Sequence, residues 1–427
     1  MLNKSQNINQ SLTSTTASAA LPYSNLNNYK VSIIVGDLSG KGAGRWGGAV
    51  RPFLLEQALR RLGLGVEILG FTDDTTTPLP TNSGVVIKRF AQRTYPKFVS
   101  SAAQLIRQID GDILYAYKTK VSSFGVGLLA RQWQRRPLIL DIDDWEMSWH
   151  GGDQWCYQPS LKQRYRDLFK PDGALRQPDH PVYLHRMEQM TQKADAITVH
   201  TRFLQKKFGG TYVPNGKDTT LFDPSRYDRL ASRQRYGLEG YRVLMFPGAP
   251  RPHKGLEDIL TALDLINQPD LKLVIVGGSP YDNYDQSLTQ RWGQHIIKLP
   301  KLPHDQMPDV VAAADVIVVP QQDTPVAQAQ FPLKLTDGMA MAKPILTTRV
   351  GDIPDTVGDT GFLVNPGDCQ AMADQINAIF ADITGSNLRG QDARHRCVTH
   401  FSIEAMAQIL VTIIAPLLNP QKASLTL

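Results

Sequence analysis

At 427 residues the chain is too long for one ordinary hydrophobic core, so two domains are expected. With 42% hydrophobic and 20% charged residues it falls in the soluble globular class, and its three widely separated cysteines exclude a disulfide framework and point to a reducing, cytoplasmic setting. The net charge of +6 is uneven, with about +10 on residues 1–230 and about −4 on the rest. A basic first half suits an acidic ligand or peripheral contact with an anionic membrane surface; a solvated basic surface without a partner accounts for it equally. No basic helix with interleaved aromatics is seen, so nucleic acid is not an expected partner.

Residues 1–28 are rich in Ser, Thr, Asn and Gln and lack an apolar signal core, which predicts a disordered tail. Short apolar runs then alternate with helical patterns, as in parallel sheets covered on both faces. Strands are expected at 31–36, 66–71, 85–88, 112–117, 137–141, 196–200 and 211–213, with helices at 48–62, 101–109 and 126–134 among them. The stretch 149–181, with its Gly, Pro and aromatic residues, reads as an insertion, and the polar stretch 223–240 separates two halves. The rhythm restarts with strands at 242–246, 271–276, 295–299, 315–320, 344–347 and 361–364 and helices at 255–266, 303–314, 333–342 and 368–381. A last apolar helix at 403–418 closes the fold; its most apolar run, 409–418, is about half the length needed to span a bilayer. The expected fold is α/β, two Rossmann-like domains (29–225 and 240–402) facing across a cleft, followed by a C-terminal helix and tail (403–427). Ligands of such sheets bind at the carboxyl ends of the strands.

Four constellations lie at predicted strand ends. GAPRPHKG, from Gly248 to Gly255, follows a strand and opens a helix; backbone N–H groups with Arg251 and Lys254 can hold a diphosphate, whereas a capped loop with two solvated cations would look the same. In QFPLKLTDGMAMAKPIL, from Gln330, a loop enters a helix rich in small residues, and Asp337 one turn in can accept two hydrogen bonds from a ribose diol or simply complement the helix dipole. The first strand runs into LSGKGAGRWGGAVRPF, where Gly47 and Gly48 let a ligand approach the backbone ahead of a helix. LILDIDDWE, from Leu138, gathers Asp141, Asp143, Asp144 and Glu146 beside Trp145, a cluster that is costly without a role.

Taken in order, the second-half motifs resemble the donor domain of the family-4 glycosyltransferases (group 1), which have the two-Rossmann-domain GT-B fold. GAPRPHKG resembles the family's G-x(n)-K-G loop, AQFPLKLTDGMAMAKPIL its E-x7-E stretch, and VGDIPDTVGDTGFLVNPGD the passage that follows. The first half matches through its Gly-rich loop and ITVHTRFLQKKF–TYVPNGKDTTLF. The resemblance implies sugar transfer from a nucleotide-sugar donor to a glycan, lipid-linked or other hydroxyl acceptor, as in polysaccharide biosynthesis, with retention and without a metal or other cofactor. Arg251 and Lys254 would contact the donor diphosphate; Gly248, Phe331, Pro332 and Leu333 would line the donor, Pro332 with only its carbonyl to offer; Gly47 and Gly48 would approach the phosphates from the other domain. Asp337 stands at the second, ribose-binding Glu. The first Glu falls on Ala329, leaving its sugar contact to Gln328 or Gln330 or to no residue. The family's first-domain His has no clear counterpart, and Asp143 or Asp144 would orient the acceptor hydroxyl.

Other readings fit less well. Gly42 to Gly47 match G-x-G-x-x-G, but Asp37–Lys41 separate them from the strand, against a nicotinamide enzyme. Asp141-x-Asp143 resembles a metal-binding DxD, though that reading leaves the second-half motifs unused; the nine histidines show no metal-ligand spacing. A nucleotide-sugar epimerase of the same fold and a degenerate glycan-binding or scaffold protein are the remaining alternatives.

Overall fold

The computed structural model describes residues 26–40, 50–75, 84–279 and 282–418. The tail expected at 1–28 lies almost wholly outside them, as do Gly47 and Gly48. The thirteen expected strands form: β1 Lys30–Val35, β2 Gly65–Thr72, β3 Val86–Ala91, β4 Ile113–Tyr117, β5 Leu138–Ile142, β6 Ala196–Val199 and β7 Thr211–Tyr212, then β8 Arg242–Pro247, β9 Leu271–Val276, β10 Ile296–Leu299, β11 Val316–Val319, β12 Ile345–Thr348 and β13 Phe362–Val364. They make two parallel sheets, ordered β3-β2-β1-β4-β5-β6-β7 and β10-β9-β8-β11-β12-β13.

Both faces of each sheet are covered, which is why the strands read as nearly unbroken apolar runs. Along β1, Val31, Ile33 and Val35 join one apolar cluster and Ile34 the other. Along β8, Val243 and Met245 point to one face, Leu244 and Phe246 to the opposite one. The order reverses at β1 and at β8, so the ends of these strands, Val35 and Pro247, sit at topological switch points. In the sequence each is followed by a Gly-rich segment.

Three segments differ from expectation. The stretch 223–240 is not a bare separator. It carries the helix Arg229–Arg235, whose Ser232 bonds Asp309 at 2.7 Å and whose Arg233 pairs with Asp315 at 3.1 Å, and Phe222 and Leu238 are buried in the second core. A 19-residue helix, Ile383–Phe401, has no counterpart in the sequence reading. Its buried face includes Ser386, Gly390, Ala393 and Cys397, and small polar residues hide the period. At Gly390 an added Cβ would lie 2.4 Å from the Ala342 carbonyl, so the close approach requires the small residue. The insertion 149–181 contains its own helix, Leu161–Phe169.

The last helix, Ile403–Leu418, returns to the first domain. Ile403, Met406, Ala407, Leu410, Val411 and Ile414 recur at helical spacing and share one cluster with Val31, Phe53, Leu55 and Leu59. The domains are thus joined by two neighbouring segments. Lys217 bridges Ser402, with its N–H donating to Phe401 O at 2.7 Å and its carbonyl accepting from Ile403 N at 3.0 Å. Because Leu410 is fully buried, Leu410→Ala is expected to cost about 2–5 kcal/mol and, though it lies far from them in sequence, to raise hydrogen exchange in β1 and β2; urea unfolding and exchange mass spectrometry check both.

Candidate functional site

β8 ends at Pro247 and the chain turns through Gly248 into the 3-10 turn Pro252–Lys254. Gly255 then starts the helix Leu256–Ile266 with φ +65°, and an added Cβ would sit 1.8 Å from the Pro320 carbonyl. Only glycine satisfies both demands, and it holds the loop against the end of β11. Lys254 Nζ donates to Ala249 O at 3.0 Å. Lys334, on the helix Leu333–Ala340, stands 4.6 Å over the Phe246 ring, and its Cε is 3.5 Å from the position of a Cβ on Gly248.

These cations act on one another. Burial pushes Lys334 down to about 8. Burial, then the charges of Lys334 and Arg251, push Lys254 well below the usual lysine range. His253 is driven down to about 4 by burial and by Lys254, Arg251 and Lys334, and is neutral near pH 7. Among the described residues no carboxylate bonds Lys254 or Lys334. Two buried lysines without a bonded carboxylate are costly, and a bound polyanion reverses the sign of that cost.

The residues around the helix Leu333–Ala340 are brought to the same place with duties the sequence did not disclose. Ala329 is fully buried, packs with first-domain apolar residues and accepts from His200 Nε2 at 3.2 Å. Gln328 turns to Asp323 at 2.6 Å, and Gln330 stands beside His253, whose Nε2 is buried with no hydrogen-bond partner among the described residues. Phe331 lies 6.3 Å from the His200 ring. The Pro332 carbonyl already accepts from Leu335 N at 2.8 Å. Asp337 Oδ1 pairs with Lys217 Nζ, a lysine buried over the Phe222 ring. Neither the ribose nor the helix-dipole expectation foresaw this partner.

On the first-domain side the acidic cluster divides. Asp141 is fully buried and gripped by Arg51, with Nε at 2.6 Å and Nη2 at 2.8 Å, and by Thr198 at 2.6 Å. It is an internal counter-ion, so the DxD reading fails at its first member. Asp143, Asp144 and Glu146 surround Lys118 Nζ at 3.4, 3.8 and 2.8 Å. Lys118 holds φ +74°, a strained conformation for a side-chain-bearing residue. Tyr117 OH donates to Asp143 Oδ2 at 2.5 Å, and Trp149 Nε1 to Asp144 Oδ2 at 3.0 Å. The Oδ1 atoms of Asp143 and Asp144 are buried with no hydrogen bond among the described residues; that of Asp143 meets only the Lys118 charge, at 3.4 Å, and that of Asp144 has no partner there. Burial, together with Glu146 and Asp143, raises Asp144 to about 6 against the pull of Lys118. Burial alone would raise Glu146 as well, but Lys118 and Lys120 hold it down at about 2. Trp149 spans the cleft, its ring 6.0 Å from that of His253.

The structure therefore brings together Arg251, Lys254, Gly248, Phe331, Leu333 and Asp337 on one wall and Asp143 and Asp144 on the other. It adds Lys334, Lys118, Lys217 and Trp149. Lys334 lies inside QFPLKLTDGMAMAKPIL, but only the fold shows that it turns toward Gly248. Among the described residues, no group of three or more His, Cys, Asp or Glu is placed to hold a metal ion. Asp337→Asn would leave Lys217 buried without its counter-charge, an expected loss of about 3–5 kcal/mol in urea unfolding; replacing both (Lys217→Met with Asp337→Leu) is expected to recover most of it.

Residues 241–382 match the family model described as Glycosyl transferases group 1. A GDP-mannose-dependent alpha-(1-6)-phosphatidylinositol monomannoside mannosyltransferase of Mycolicibacterium smegmatis is 27% identical over 231 residues, 50% of this chain and 60% of that enzyme. N-acetyl-alpha-D-glucosaminyl L-malate synthase of Bacillus anthracis is 25% identical over 54% of this chain and 62% of its own length. The aligned regions thus span less than two thirds of these relatives. Among solved structures, sucrose-phosphate synthase from Thermosynechococcus elongatus superposes with a TM-score of 0.68 at 20% identity, covering 91% of this chain and 99% of that one. Anabaena HepE in complex with UDP-glucose gives 0.67 at 18% identity, covering 91% and 100%. These relatives lend no support to an epimerase. Residues 241–382 thus match the glycosyl transferases group 1 model, within a chain that has the two-domain GT-B fold.

Proposed function

We propose that the chain is a glycosyltransferase that moves a sugar from a nucleoside diphosphate donor to a hydroxyl acceptor, with retention at the anomeric carbon. The observation that carries this reading is the gathering of Arg251, Lys254 and Lys334 at the switch point of a group 1 domain. As the glycosidic bond to the donor breaks, negative charge grows on the leaving diphosphate, and fixed cations stabilise it more than they stabilise the ground state. Asp337 serves the ribose with the oxygen that Lys217 leaves available. Asp144, whose Oδ1 is buried with no partner among the described residues, orients the acceptor hydroxyl, with Asp143 beside it; Asp144, at about 6, is mostly ionised near pH 7 and able to accept a hydrogen bond from it.

The acceptor is a glycan or a lipid-linked hydroxyl compound, and we place the enzyme in the cytoplasm, in peripheral contact with an anionic membrane through its basic first domain. No helix among the described residues is long and apolar enough to cross a membrane.

In this mechanism the cations, not a metal, meet the leaving group. Lys254→Ala is expected to lower kcat/KM for sugar transfer by about 10²-fold or more, and wild-type transfer is expected to persist in excess EDTA. A folded variant with near-normal kcat/KM overturns the site; activity lost in EDTA and restored by Mg²⁺ or Mn²⁺ overturns the metal-free mechanism. The alkaline side tests Lys334. With a value of about 8 it loses its charge as pH rises past 8, while a bound diphosphate holds the proton on. The Kd of the nucleoside diphosphate is therefore expected to rise above pH 8 by up to about tenfold per unit, with proton uptake on binding. Titration calorimetry in buffers of different ionisation enthalpy measures this, and Lys334→Met is expected to diminish both effects.

A further inference from the structure

The helix Leu161–Phe169 is built inside out. Ser160 caps its start, accepting from Gln163 N at 3.2 Å. Its inward face is polar: Asp167 is buried and accepts from Tyr157 OH at 2.6 Å and Gln163 Nε2 at 2.7 Å. At 100° per residue, Leu161, Tyr165, Leu168 and Phe169 fall within a single arc on the opposite side. They are 86%, 62%, 48% and 61% exposed. The Tyr165 and Phe169 rings lie 5.0 Å apart, forming one surface. Arg164 borders that arc on one side, Lys162 and Arg166 border it on the other, and Lys170 follows. Arg166 pairs with Asp172 at 2.9 Å; Lys162, Arg164 and Lys170 have no ion pair among the described residues.

A surface helix of a globular protein normally turns its apolar stripe inward and its charges outward. Here the only carboxylate of the helix is buried and bonded, and the apolar stripe faces water between rows of cations. That pattern fits the interfacial plane of an anionic bilayer, where apolar side chains enter the acyl boundary and Lys and Arg meet headgroup phosphates. A second copy of the chain fits poorly, since an isologous contact would set the two cation rows against each other.

We propose that Leu161–Phe169 is the membrane-docking surface of this chain, seating the first domain on anionic lipid with Leu161, Tyr165, Leu168 and Phe169 inserted. The proposal rests on the reading that the chain works at a membrane and names the surface that does so. The test uses the full chain and co-sedimentation with phosphatidylcholine vesicles, with and without phosphatidylglycerol, at low salt and at about 0.5 M salt. Leu161→Ser with Phe169→Ser is expected to weaken binding to the anionic vesicles by about tenfold or more at both salt levels. Lys162→Gln with Arg164→Gln is expected to do so by about tenfold at low salt only. A control pair of exposed cations elsewhere on the first domain, on the helix Lys97–Arg107 (Lys97→Gln with Arg107→Gln), should bind like wild type. All the substituted side chains are exposed, and unchanged melting temperatures confirm intact folds. If wild type binds and the Leu161, Phe169 pair binds equally well, this surface is overturned while the membrane reading stands. If wild type does not bind anionic vesicles, the membrane reading falls, and the proposal with it. A dimer in sedimentation velocity that the same pair disperses overturns it in favour of a contact between copies.

Discussion

In a parallel sheet every connection must cross back over a face, so all strands deliver their carboxyl ends to one edge. That constraint places the site. Two such sheets bring two edges together, and each switch point in the strand order is a place where a ligand fits between diverging connections. Pro247, Tyr117 and Ile142 are strand ends, and Lys254, Lys118 and Asp143 follow within a few residues. The chemistry is spread over more than two hundred residues of sequence but is local in space.

The walls of the cleft are tied by contacts that differ in kind. His200 hydrogen-bonds the Ala329 carbonyl, Arg202 N donates to Asp352 at 2.7 Å, Lys217 pairs with Asp337, and Trp149 meets His253 edge to face. His200 is pushed down to about 3 by burial and by Arg51, so its link to Ala329 is that of a neutral imidazole over the physiological range. The position that carries a sugar-binding Glu in the resembling family is here spent on joining the domains.

The fold was legible because parallel strands buried on both faces must be apolar throughout, and β8 to β13 could be bounded within a residue or two. The helix Ile383–Phe401 was not, because its contact with the chain at Ala342 is made through glycine and other small residues that carry no hydropathy signal. The site was legible where backbone and motif coincide, as at Gly248 to Gly255. It was not where meaning depends on a distant partner. Asp141 and Asp143 read as a pair, yet β5 ends at Ile142; Asp141 belongs to Arg51 and Asp143 to the cleft. Lys217 and Asp337 are 120 residues apart, and no spacing rule joins them.

The helix Ile403–Leu418 supplies part of the apolar layer under β1 and the helix Arg51–Arg61. The first domain therefore lacks part of its own core until Ile403–Leu418 has been made, and until then its covering surface is missing. During synthesis the second domain has all its strands before the first can close. The first domain's apolar layer is thus completed by a segment that follows the whole second domain in sequence, and a first domain without that segment would present an apolar face.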